Sequence, residues 1–193
     1  MGCGGGVVWC GVVVVLVMVM MVQVCVCSDP LLKEQWHLGG HRGISVGATD
    51  VWRCGFDGSG VVVGLVQGAV APLHPEILRN YIPTLSHRPR ASKVDLDTLA
   101  KGTAIGGLVA GVAGNDVCGA GVAFGAKLAD IWYPKSDVGL AMALSHMAND
   151  IDVYLNAWHT KRNAHTTHKS EEGDEVATVM PMPDVVRRAM KEG

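Results

Sequence analysis

Three histidines, His159, His165 and His168, come closest by type and spacing to a metal site, because imidazole nitrogens are good zinc ligands. Their neighbours argue against it: Lys161-Arg162-Asn163 and Lys169 are polar and cationic and would repel a divalent ion, so a solvated loop is the expectation. Thiol chemistry is no better supported. Of six cysteines, Cys3, Cys10, Cys25 and Cys27 fall in an apolar leader, and no C-x-x-C pair exists to make a zinc ribbon or a redox centre. Cys54 and Cys118 remain; in an oxidising compartment they could pair, but sequence separation fixes no distance. Arg88-Pro89-Arg90 with Lys93 sits in a Pro- and Ser-containing stretch and reads as exposed loop. Glu171-Glu172 and Asp174-Glu175 read as solvated surface. The formal net charge of −2 offers no basic face, so nucleic acid is not an expected partner.

The elements that must position any site begin after residue 27. From Val7 to Val22 the chain reads VVWCGVVVVLVMVMMV, uncharged and without amphipathic period, and a polar break follows at Ser28-Asp29-Pro30. Residues 1–27 are read as a secretory signal cleaved before Ser28, or as a retained anchor, since about 20 apolar residues can span a bilayer. Either sends 28–193 into the secretory pathway, to be secreted or held at a membrane through residues 7–27. Beyond the leader, 46–54 predicts a short helix, and Gly55-Phe56-Asp57-Gly58-Ser59-Gly60 a turn. The β-branched run 61–66 has the pattern of a buried parallel strand. A helix rich in glycine is expected over 99–113, a strand over 126–133, a helix over 137–148, a strand over 152–157 and a last helix over 184–191 with Asp184 as its N-cap. Strand and helix alternate, so the class is α/β with a parallel sheet and right-handed crossovers. Residues 28–193 are taken as one domain.

Four segments carry a family resemblance: Asp29-Pro30 through Gln35-Trp36; Val51-Trp52-Arg53-Cys54-Gly55-Phe56-Asp57-Gly58-Ser59-Gly60-Val61-Val62-Val63; His74-Pro75-Glu76; and Val112-Ala113-Gly114-Asn115-Asp116-Val117-Cys118-Gly119-Ala120-Gly121-Val122-Ala123. In this order and spacing they resemble the kexin/furin-type proprotein convertases of the subtilisin superfamily. The resemblance implies an incomplete, N-terminal half of the subtilisin-like fold. That family's chemistry uses a Ser nucleophile, a His base and an Asp that orients the imidazole. The Asp position matches Gln67, followed by Gly68 where a second acid belongs, and the His position matches Lys101 in Lys101-Gly102-Thr103. The nucleophile segment has no match. Gln67 carries no charge to hold an imidazolium, and a lysine of ordinary pKa, about 10.4, is mostly protonated near neutrality. The substrate-pairing edge appears as Ala157-Trp158-His159-Thr160, and the acids for basic substrates fall at Gly68 and near Thr98. Neither peptide pairing nor basic specificity is therefore expected.

The resemblance also implies one calcium site, built from Asp29, Glu76 and Asn115 side chains and the carbonyls of Val112, Val117 and Gly119. Calcium takes six to eight oxygen ligands of these kinds. Glu76 is longer by one methylene than the family's Asp. A second family calcium site fails at Arg162. Cys118 matches a family cysteine whose partner lies outside this sequence, so it is either free or paired with Cys54. No inhibitory prodomain is recognisable between the leader and Asp29. The expectation is a catalytically inactive, truncated convertase homologue. A decoy or regulator that docks on convertases or their substrates is the alternative from the binding class, and an incomplete gene model of a longer protease-like protein is the other.

Overall fold

The computed structural model describes residues 29–39, 44–66, 69–88, 94–157, 167–169, 175–177 and 182–192. In chain order the elements are α1 (Trp36–Gly39), α2 (Ala48–Arg53), β1 (Val62–Val66), α3 (Pro75–Leu78), α4 (Leu96–Ala110), β2 (Lys127–Ile131), α5 (Asp137–Leu144), β3 (Val153–Asn156), β4 (Thr167–Lys169), β5 (Glu175–Ala177) and α6 (Asp184–Glu192). The chain divides into two compact units. One holds the described residues up to Gly60 with Pro72–Tyr81 and Gly106–Ala126; the other holds Val61–Ala71, Ile82–Ile105 and the described residues from Lys127 onward.

The second unit is organised by β1. A strand with no polar side chain must be covered on both faces and paired on both edges, and β1 meets both conditions. It pairs in parallel with β2 on one side and β3 on the other, Val63 facing Leu128 and Val153 across the two ladders. Alternation along the strands sends Val66, Ala129 and Ile131 to one face, where they pack with Ala143, Leu144, Ile151 and Val186. Leu65 and Leu128 on the opposite face are also buried, which is the two-sided covering expected of parallel strands. Gly64 leaves room for its neighbours: a Cβ there would lie 2.6 Å from Ile131 Cδ1, which would have to shift. The free edge of β2 is taken by the segment around Ile82–Arg88. There the Ile82 N–H donates to the Leu128 carbonyl at 2.9 Å and the Trp132 N–H to the His87 carbonyl at 2.7 Å. The α/β class and its parallel sheet are as the sequence indicates.

Several boundaries move for local reasons. Helix α4 starts at Leu96, not 99, because Asp95 caps it: its carboxylate accepts the Thr98 N–H at 2.8 Å. It ends at Ala110, not 113, because the Val112 N–H turns away to the Glu76 carbonyl, 2.9 Å. Helix α5 stops at Leu144, just before Met147 adopts φ 52°, although its start is secured by Ser136, whose Oγ accepts the Gly139 N–H. Asp184 is the first residue of α6 and not its N-cap; the carbonyl that accepts the Val186 and Arg187 N–H groups belongs to Pro183. A loop was expected around His168, and the chain there forms β4 and β5, paired antiparallel with His168 opposite Val176. β-branched Thr167 and Val176 favour the extended form.

In the first unit, the glycine-rich turn before β1 folds around Asp57, which accepts the Ser59 N–H at 2.8 Å. Gly58 has φ 91°, and a Cβ on it would lie 2.7 Å from the Ala123 Cβ, so glycine is required twice over. Trp52 stacks edge-on against Phe124 at 5.1 Å and donates its indole N–H to the Val122 carbonyl at 2.9 Å. The sheet unit supplies a direct test of its core. Ile131→Ala should lower unfolding free energy by about 2–5 kcal/mol in urea titrations, while Val185→Ala on the exposed side of α6 should stay within about 0.5 kcal/mol.

Candidate functional site

The turn that follows α4 is drawn around a single carboxylate. Asp29, 4 % exposed, accepts the backbone N–H groups of three consecutive residues: Gly114 at 2.7 Å, Asn115 at 2.9 Å and Asp116 at 3.1 Å. The chain beyond Asp29 then runs alongside the same turn, where the Leu31 N–H donates to the Cys118 carbonyl at 2.6 Å. Glu76 comes from α3, a single helical turn that His74-Pro75-Glu76 sets up. His74 caps it by accepting the Glu76 N–H on Nδ1, and Pro75 occupies the first helical position, where its missing N–H costs nothing.

Asn115 joins the two acids. Its Nδ2 donates to Glu76 Oε1 at 3.0 Å, and its Oδ1 accepts the Val117 N–H at 2.9 Å. The structure thus brings Asp29, Glu76, Val112, Asn115 and Val117 together through hydrogen bonds, with Gly119 at the end of the same turn. Burial pushes the Glu76 carboxyl above its ordinary range. The Asn115 bond pulls it down, the negative charge of Asp29 pushes it up further, and His74 opposes. Among the described residues neither acid has an ion-pair partner. No group of three or more His, Cys, Asp or Glu is gathered there as a metal cluster. The donor chemistry still fits a hard cation: two buried carboxylates without a basic partner, an amide oxygen and backbone carbonyls from Val112, Val117 and Gly119.

The catalytic positions are different. Gln67 and Gly68 lie outside the described residues, as do the leader 1–27 and Trp158–Thr160. Lys101 stands in the second turn of α4, exposed, with its ammonium 2.6 Å from Asp97 Oδ2. The bond to Asp97 and the charge behind it raise the Lys101 pKa above its already high ordinary value. This group holds its proton near neutral pH. Gly102 next to it keeps a structural task, for a Cβ there would run into the Ala69 carbonyl oxygen. Thr103 accepts the Ala71 N–H at 2.9 Å, so the Gly-Thr part of the motif fastens the helix to the segment after β1.

Two arrangements were not legible in the sequence. Arg88 is not a loop cation in solvent. It ion-pairs with Asp130, a carboxylate with no exposed surface on the same face of β2 as Leu128, and it donates to the Val70 carbonyl at 2.8 Å. The Val70 N–H donates to the same Asp130 oxygen at 3.3 Å, leaving Asp130 Oδ1 and Arg88 Nε buried without partners. The second is Gln35, whose amide pairs with both backbone groups of Ala120. Cys54 and Cys118 are both free and exposed, so they are not joined to each other. His159, His165 and Arg162 lie outside the described residues, and for His168 only the strand is described.

No protein-family model matches the chain. Among curated proteins it is similar to neuroendocrine convertase 2 of Bos taurus, 30 % identical over 178 residues, covering 83 % of this chain and 27 % of that protein. It is 34 % identical over 143 residues to furin-like protease 2 of Drosophila melanogaster, covering 69 % of this chain and 8 % of that one. It is also 34 % identical over 140 residues to endoprotease bli of Onchocerca volvulus, covering 67 % and 20 %. The chain thus spans about a quarter of the length of the first of these relatives. Among solved structures, a protease from Pseudoalteromonas arctica matches with a TM-score of 0.51 and 22 % identity, over 66 % of this chain and 49 % of that one, which establishes likeness of fold.

Burial, more than Arg88 opposes it, raises the Asp130 pKa from 3.8 to about 6. The folded form then binds a proton between about pH 4 and 6 that the unfolded chain releases, so this group's contribution to stability is largest in acid and falls as pH rises through that window. Relative to wild type, Asp130→Asn should gain on the order of 3 kcal/mol between pH 4 and pH 7. Parallel urea titrations at the two pH values measure it; an unchanged difference would contradict it.

Proposed function

Because the chain is a relative of the subtilisin-like proprotein convertases, we propose that it is a member without proteolytic activity that retains one calcium site of that family. The observation that carries the inactive reading is Lys101. A serine protease of this kind needs a group at that position that takes a proton from the nucleophile and returns it to the leaving amine. Lys101, bonded to Asp97 in open solvent, keeps its proton at neutral pH. Gln67, at the position that orients the base, brings no negative charge. In triads of this type, loss of the base alone costs on the order of 10⁶ in kcat.

Calcium binding is supported by the two buried acids around Asn115. Bound there, the ion would supply positive charge between Asp29 and Glu76 and tie the N-terminal segment to the turn after α4. Asp29, Glu76 and Asn115 would hold it through side-chain oxygens, and Val112, Val117 and Gly119 through carbonyls. Its role would be structural. The apolar stretch from Val7 to Val22 supports a place in the secretory pathway.

The purified chain should not cleave a fluorogenic peptide after paired basic residues. Calcium-dependent cleavage abolished by Lys101→Ala would overturn the reading. Millimolar calcium should raise the melting temperature, since a ligand at 100 times its Kd stabilises the folded form by about 2.7 kcal/mol. Asp29→Ala or Asn115→Ala should remove most of the rise. A melting curve indifferent to both calcium and chelator would sink the calcium reading and leave the inactive one standing.

A further inference from the structure

The turn that ends at Ala120 is strained. Asp116 and Cys118 have φ 60° and 47°, the left-handed region that residues with a Cβ enter only when their surroundings hold them there. From one side, Asp29 gathers the N–H groups of Gly114, Asn115 and Asp116. From the other side the holder is Gln35. The 3-10 turn Leu32–Glu34 presents it, with the Gln35 N–H closing that turn on the Leu32 carbonyl at 3.2 Å. Its Nε2 donates to the Ala120 carbonyl at 2.9 Å, and its Oε1 accepts the Ala120 N–H at 2.8 Å. One side chain thus satisfies both polar groups of a residue 85 positions away. The fit is tight, because a Cβ at Gly119 would collide with Gln35 Oε1.

We propose that Gln35 is the positioning residue of the calcium site: by clamping Ala120 against Gly119 it fixes the turn that carries the Val117 and Gly119 carbonyls, and so sets calcium affinity without touching the ion. This rests on the calcium reading above. Gln35 is neutral and both its amide atoms are committed to backbone, so it adds neither charge nor a ligand. Its effect comes through geometry alone. Groups that orient metal ligands in this way commonly change affinity by about 10–100-fold when removed.

Calorimetric titration of the purified chain with calcium tests this in wild type, Gln35→Met, Gly119→Ala and the double variant. Met keeps the length of Gln35 without its hydrogen bonds; Ala at 119 keeps the carbonyl and displaces the Gln35 amide. Each single variant should weaken calcium by about 10–100-fold, and the double variant by no more than the larger single effect, because both break one clamp. Melting in chelator separates a merely structural role: a variant that melts earlier yet binds within about twofold of wild type overturns the proposal. So do single effects that simply add. If a variant fails to fold, hydrogen exchange of the wild-type Ala120 amide decides: slowing on calcium addition supports the clamp, and unchanged exchange overturns it. Absence of calcium binding by folded wild type would overturn the calcium reading itself, in an arm where Gln35 is intact.

Discussion

A buried carboxylate must find donors, and the way Asp29 finds them governs the unit in which it sits. No basic side chain pairs with it among the described residues, so it takes three successive backbone N–H groups of the turn after α4. Across these groups the turn passes through the left-handed region, at Gly114 with φ 70° and at Asp116 with φ 60°. Asn115 is then carried into reach of Glu76, and the Cys118 carbonyl into reach of Leu31. The N-terminal segment is thereby tied to the core, where chain ends are otherwise loose. The site and the local fold share one cause.

The other unit solves the same problem with a cation and solves it incompletely. Arg88 covers one oxygen of Asp130 and leaves the second without a donor, on a strand whose other buried side chains, Leu128, Ala129 and Ile131, are apolar. Breaking such a pair from one side strands a buried charge, whereas replacing both partners by apolar groups is often harmless. What the pair does provide is attachment. Both members bond to Val70, so the segment leaving β1 and the segment covering the edge of β2 are fastened at one point.

The sheet was legible because its signal is local: Val61-Val62-Val63-Gly64-Leu65-Val66 admits few structures besides a buried strand. The acids and Asn115 are marked out by their motif order as calcium ligands, but the hydrogen bonds by which the structure joins them, from the 114–116 amides to Asp29 and from Asn115 to Glu76, carry no sequence signal. Arg88 was misread because its neighbours Pro89 and Arg90 look like surface, and nothing in the sequence shows that an aspartate lies 42 positions ahead on a buried face. Gln35 carries no such signal, since a glutamine bonded to backbone leaves no charge pattern. The ends of α4 and α5 moved by three or four residues where a cap (Asp95), a backbone bond (Val112 to Glu76) or a left-handed residue (Met147) outweighed the apolar period.

Lys101 has a structural part of its own in α4. Asp97 and Lys101 stand four apart on one helix, acid toward the N-terminus, the orientation that favours helices most. Asp97 stabilises the ammonium form, so Lys101 holds its proton more firmly than a free lysine does. A histidine at 101 would forfeit this i,i+4 pairing of a lysine ammonium with Asp97. The helix has acquired a reason of its own to keep the lysine.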